Sequence, residues 1–201
     1  MPTQYNILIA GVGGQGNLVC GRVLAEAALK EGLIPTVGET FGASRRGGTV
    51  FTHLRLGDRE LGPLIPRGQL DLLLGLEPLE TLRAAVKLAS SRTTAILSTT
   101  VIETPESLAG KVDYPGISDI INSLNGICGM VRAIDPTESL KHIGNRGVLN
   151  TYMLGAIAHG ALLPIDAKVL KETLKDTLSS WDVNRAAFEA GMKDVAELIA
   201  D

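Results

Sequence analysis

The run Asn6-Ile7-Leu8-Ile9-Ala10-Gly11-Val12-Gly13-Gly14-Gln15-Gly16 constrains this chain more than any other stretch. Consecutive apolar residues followed at once by closely spaced glycines read as a buried strand entering a tight turn, with a helix after it. The G-x-G-x-x-G spacing gives the glycines separate tasks. Gly11 and Gly13 are expected to take positive φ and to let backbone approach a ligand, and Gly16 to let the helix pack closely on the strand. A helix starting near Gly16 aims its unpaired N–H groups and the positive end of its dipole past the turn. Gly11, Gly13, Gly14, Gln15 and Gly16 thereby form a candidate anion or phosphate site. Other doubly wound domains keep such a turn for packing alone, so the motif by itself leaves both readings open.

Residues 18–30 carry apolar side chains at helical spacing, with Arg22, Glu26 and Lys30 on the other side and Gly32 as the stop. A short strand is expected at about 33–37, ending in Gly38-Glu39. An acid about 20 residues past the glycines, at the end of the second strand, is where a dinucleotide fold bonds a ribose hydroxyl, so Glu39 points toward NAD. The next stretch points elsewhere. Residues 40–49 form a polar, glycine-punctuated loop carrying Ser44, Arg45, Arg46, Gly47 and Gly48. Adjacent guanidinium forks among glycines suit a phosphate or a partner's carboxylate. The alternation over 50–56 reads as a strand with one wet face, in which His53 lacks a local acid or cysteine partner for chemistry.

A turn-rich excursion at 57–68 precedes a core strand at about 70–74. Glu77-Pro78-Leu79-Glu80 then opens a helix with proline in its first turn and acids at the positive end of its dipole. Further strands are expected at 94–98 and 128–134, and helices at 117–124, from 137, at 149–162, 165–178 and 183–200. Within the apolar 149–162 segment, Gly155, Ala156 and Ala158 are small enough for close packing. The order implies a single α/β domain over residues 1–201: an open, mostly parallel, doubly wound, Rossmann-like sheet with C-terminal helices.

Composition narrows the function. Hydrophobic residues make up 45% of the chain and aromatic residues 3%, so the core is aliphatic. A net charge of -3 gives no general electrostatic case for nucleic acid or an anionic membrane. No apolar run reaches the ~20 residues of a membrane helix, and a cytoplasmic location is expected. Cys20 and Cys128 are far apart and sit in apolar surroundings. An iron–sulfur cluster needs about four thiolates, so these two read as buried residues of a reducing compartment. No histidine spacing marks a metal site, and no catalytic constellation emerges.

The strand-linked Gly11-Val12-Gly13-Gly14-Gln15-Gly16, followed by Glu39-Thr40-Phe41-Gly42-Ala43-Ser44-Arg45-Arg46-Gly47-Gly48-Thr49-Val50 and Thr52-His53-Leu54-Arg55-Leu56-Gly57, resembles the gamma-type subunits of the 2-oxoacid:ferredoxin oxidoreductases. Within that family it is most similar to the indolepyruvate branch. Pro63-Leu64-Ile65-Pro66, the run 74–80 and the run 184–191 extend the resemblance over nearly the whole chain. Ala43-Ser44-Arg45 stands where that branch more usually has Met-Ala-Gln. The resemblance implies oxidative decarboxylation of a 2-oxoacid with coenzyme A, an aryl 2-oxoacid first and a generic one second, with electrons passing to ferredoxin through the complex. It also implies that thiamine diphosphate and the iron–sulfur clusters sit on a partner chain, which this subunit joins without being active alone. Gly11 to Gly16, with Arg45 and Arg46, are then the candidate contacts for coenzyme A. An apolar face left open by an absent partner would pair two copies of the isolated chain.

Overall fold

A computed structural model describes residues 4–42, 48–102, 113–160 and 162–200. The elements follow in the order β1 (Gln4–Val12), α1 (Asn17–Lys30), β2 (Ile34–Phe41), β3 (Thr49–Gly57), β4 (Leu72–Gly75), α2 (Pro78–Leu88), β5 (Thr94–Ser98), α3 (Ile117–Asn125), β6 (Met130–Ile134), α4 (Thr137–Ile143), α5 (Leu149–Ala158), α6 (Ala167–Thr177) and α7 (Trp181–Ala200). The six strands form one sheet in the order β2-β3-β1-β4-β5-β6. β1, β4, β5 and β6 are mutually parallel, whereas β3 runs antiparallel to both β1 and β2. The sheet is therefore mostly parallel, with β3 alone reversed.

Ile7, Leu8, Ile9 and Ala10 are all fully buried because helices cover both faces of β1. Side chains alternate between two cores, as the strand period of two requires. Ile7, Ile9, Leu54, Leu72 and Leu74 pack beneath α1, α5, α6 and α7, while Leu8, Ala10, Phe51, Leu73 and Leu97 pack beneath α2 and α3. A Cβ at Gly155 would stand 2.0 Å from the Phe188 carbonyl oxygen, so the small residues of α5 do serve close approach, to α7. Cys20 belongs to the first core and Cys128 to the second, on opposite faces of the sheet. Burial pushes the Cys20 thiol up to about 12. No helix among the described residues is long and apolar enough to cross a membrane.

The structure revises three readings. β2 extends to Phe41 because pairing with β3 carries it past Gly38, and β3 separates it from β1. β3 has no wet face. Arg55 and His53 are 7% and 4% exposed because the excursion after β3 folds over them. Arg55 donates to Asn6 Oδ1 at 2.9 Å and to the Gly62 carbonyl at 3.0 Å, and His53 Nδ1 accepts from the Ile65 N–H at 3.3 Å. Burial holds the His53 pKa below the ordinary histidine value, in keeping with an imidazole that accepts there. Finally, α5 stops at Ala158 instead of continuing to residue 162.

Candidate functional site

The sheet's connections run outward in opposite directions from β1 and β4, so the carboxyl ends of these two strands flank the switch point where doubly wound folds place ligands. β1 ends at Val12, and the turn that follows takes left-handed backbone at Gly14 (φ +108°) and Gly16 (φ +88°). The positive φ values fall there and not on Gly11 and Gly13, the positions the spacing indicated. Gly13 instead donates its N–H to the Gly48 carbonyl at 2.9 Å, tying the turn to the base of the β2–β3 hairpin.

Gly11 has a different reason to lack a side chain. Its Cβ would lie 2.6 Å from Gln15 Oε1, which folds back over it. Gln15 Oε1 accepts from the Val12 N–H at 2.8 Å, and Gln15 Nε2 donates to the Leu76 carbonyl at 2.8 Å. Gly16 also departs from its expected role, for the neighbour its Cβ would strike is the Asn150 side chain of α5, at 2.5 Å, and not the strand behind it.

Gly16 caps α1 without any side-chain hydrogen bond. The ladder of α1 opens with Cys20 N–H on the Gly16 carbonyl, and the earlier N–H groups of Asn17, Leu18 and Val19 face the end of the helix. Asn17, 3% exposed, donates from Nδ2 to the Val50 carbonyl at 3.0 Å. Its Oδ1 has no partner among the described residues. A cavity of about 290 Å³ opens here between the turn, α1 and the hairpin, lined by Gly13, Gly14, Gly16, Asn17, Phe41 and Val50 among others. Helix donors and apolar walls thus meet in one place, a combination that suits an organic anion. Cys20 and Cys128, buried on opposite faces of the sheet, do not fit an iron–sulfur cluster.

Glu39 does not join this site. It is exposed on β2 and pairs with Thr52, which in turn pairs with Ile9. It therefore stands two strands from β1, roughly 10 Å at the usual strand spacing, and level with a residue before the turn. A dinucleotide ribose held at the turn would need its acid on the strand next to β1, and β3 occupies that place. Gly48 lies against the turn through Gly13. Ser44, Arg45, Arg46 and Gly47 lie outside the described residues.

Asn17 and Asn150 were not singled out by the sequence. The available signal was an asparagine directly after the last glycine, at a position where a helix start could equally leave it in water. On the far side of the switch point, Glu77 caps α2 by accepting from the Glu80 N–H at 2.8 Å. Burial raises its carboxyl above the usual range, against the opposing pull of hydrogen bonds from Tyr114 and the backbone.

Residues 6–193 match the family described as pyruvate ferredoxin/flavodoxin oxidoreductase, and the chain belongs to that family, as a subunit of an oxidoreductase acting on 2-oxoacids. It is similar to the indolepyruvate oxidoreductase subunit IorB of Methanothermobacter thermautotrophicus, 36% identical over 96% of this chain and 99% of that one. The IorB subunit of Archaeoglobus fulgidus is 35% identical over 94% of each chain. Among solved structures, the 2-oxoglutarate:ferredoxin oxidoreductase from Magnetococcus marinus, with 2-oxoglutarate, coenzyme A and succinyl-CoA bound, shares the fold at a TM-score of 0.71 and 19% identity, covering 98% of this chain and 32% of that chain.

Proposed function

We propose that this chain is the subunit without thiamine or clusters of a cytoplasmic 2-oxoacid:ferredoxin oxidoreductase, that its glycine turn holds the phosphates of coenzyme A, and that the assembled enzyme uses an aryl 2-oxoacid such as indolepyruvate. The observation that carries the ligand reading is the start of α1, without a side-chain cap, at a cavity of about 290 Å³ large enough for part of such a ligand. N–H groups from Asn17, Leu18 and Val19 would bind phosphate oxygens, and Phe41 and Val50 would shield the contact from water. Arg45 and Arg46, on the segment joining β2 to β3, supply additional cationic groups to the same anion. The complete reaction converts a 2-oxoacid and coenzyme A to acyl-CoA, carbon dioxide and two electrons for ferredoxin, with thiamine diphosphate and iron–sulfur clusters on the partner chain. Likeness to IorB subunits supports the aryl substrate.

The test is co-purification with the partner chain, followed by equilibrium binding of coenzyme A and of NADH to the complex and a screen of 2-oxoacids. Clear coenzyme A binding without NADH binding, with indolepyruvate turned over fastest, is expected. Binding of NADH and not coenzyme A would overturn the ligand assignment. Preference for pyruvate or 2-oxoglutarate would overturn the aryl assignment alone.

A further inference from the structure

The last rung of the β1–β4 ladder is replaced by a side chain. Ile7 to Ala10 of β1 pair in parallel with Leu72 to Gly75 of β4, and the Leu76 N–H continues the ladder by donating to the Ala10 carbonyl at 2.8 Å. In a parallel pair the next bond would run from the Val12 N–H to the Leu76 carbonyl. Here those two groups are bridged by the Gln15 carboxamide, which accepts from the first and donates to the second, each at 2.8 Å. The amide acts as one inserted peptide unit at the point where the strands part. Of the side chains with this reach, glutamine alone presents an acceptor and a donor on opposite edges of one planar group. Gly11 leaves the room for it.

Resting on the reading that the turn binds the phosphates of coenzyme A, we propose that Gln15 is a positioning and specificity-determining residue: it stops the crevice between β1 and β4, where a dinucleotide would lie, and holds the turn so that its N–H groups serve the cavity on the α1 side. Two features of the geometry support this. Gln15 also donates its own N–H to the Val12 carbonyl at 3.2 Å, so one residue fixes the turn through backbone and side chain together. The open cavity, moreover, lies on the side of the turn bounded by α1, Phe41 and Val50, away from Leu76.

The experiment uses the complex with its partner chain and reads KM for coenzyme A, kcat, NADH binding and thermal stability for wild type, Gln15→Ala, Gln15→Glu and Gly14→Ala. Gln15→Ala is expected to raise KM for coenzyme A about tenfold, with a smaller change in kcat, and to admit measurable NADH. Gln15→Glu separates positioning from simple damage. A carboxylate repels the Leu76 carbonyl, while a protonated carboxyl restores both the donor and the acceptor, so the KM defect should shrink as pH falls. Glu77, next in the chain to Leu76, is also a buried carboxyl, so wild type is measured over the same pH range as control. Lowered thermal stability with unchanged KM in both Gln15 variants would overturn the proposal, since Gln15 would then be only a brace. If KM shifts for Gly14→Ala but for neither Gln15 variant, the ligand reading stands and the Gln15 proposal falls. If KM shifts for none of the three, the ligand reading falls with it.

Discussion

Tyr114 donates its hydroxyl hydrogen to Oε1 of Glu77 at 2.5 Å, joining the segment before α3 to the residue that caps α2. Burial raises the Glu77 carboxyl, and the tyrosine opposes that rise. A carboxyl whose folded pKa exceeds its unfolded value binds more protons when folded, so its contribution to stability improves as pH falls through the folded pKa and is complete below the unfolded one. Tyr114→Phe removes a donor from the charged form. The variant should lose about 1–3 kcal/mol near pH 8 and less at an acid pH below the raised Glu77 pKa, where the carboxyl is protonated. Unfolding curves at both pH values check this, and an equal loss at each would show that the pair is not coupled.

Asn17→Ala should separate stability from binding. The substitution removes the bond to Val50 but also the buried Oδ1, which has no partner among the described residues, so the two effects oppose each other and the net change should stay within about 1 kcal/mol. KM for coenzyme A in the assembled complex should nonetheless rise about tenfold, because the bond to Val50 holds the wall of the cavity in place.

Gly155→Ala should destabilise the chain with no direct effect on the ligand site. The new methyl would press on the Phe188 carbonyl, and α5 and α7 would have to separate. An overpacked contact of this kind costs about 1–3 kcal/mol. A lowered Tm with KM for coenzyme A unchanged is the expected result.

Arg55→Met should loosen the excursion between β3 and β4. Arg55 spans from Asn6 to Gly62, and its guanidinium satisfies a side-chain oxygen and a carbonyl at once. Loss of about 2–3 kcal/mol is expected, since hydrogen bonds to a charged group are among the stronger ones. Limited proteolysis should then cut within 58–68 before any other covered segment. Arg55→Lys should rescue little, because one ammonium lacks the fork that reaches both acceptors.

The order of elements up to β5 was legible because each carries a local signal: the apolar run of β1, the 3.6-residue spacing of α1, the proline and acids that open α2. The place of β2 in the sheet was not. Nothing between residues 33 and 41 encodes whether β1 or β3 will be its neighbour, since strand pairing is settled by contacts remote in sequence. Spacing alone therefore pointed Glu39 toward a ribose as one alternative, and β3 intervenes. His53 and Arg55 read as a wet face because their cover comes from residues up to 66, after the strand has ended. Within the site, the glycine turn and the helix behind it were visible in the motif. The task of Gln15 was not, for a polar residue between two glycines looks the same whether it faces solvent or completes a ladder.

The reversal of β3 carries a last consequence. Because β3 starts where β1 finishes, the link from β2 is a short hairpin emerging beside the glycine turn, with Gly42 N–H bonded to the Thr49 carbonyl at its neck. In an all-parallel sheet the same link would have to cross back to the opposite end of the molecule. Both strand ends at this link lie beside the turn, so a change of length or charge between Gly42 and Gly48 alters what borders the turn without rethreading the sheet.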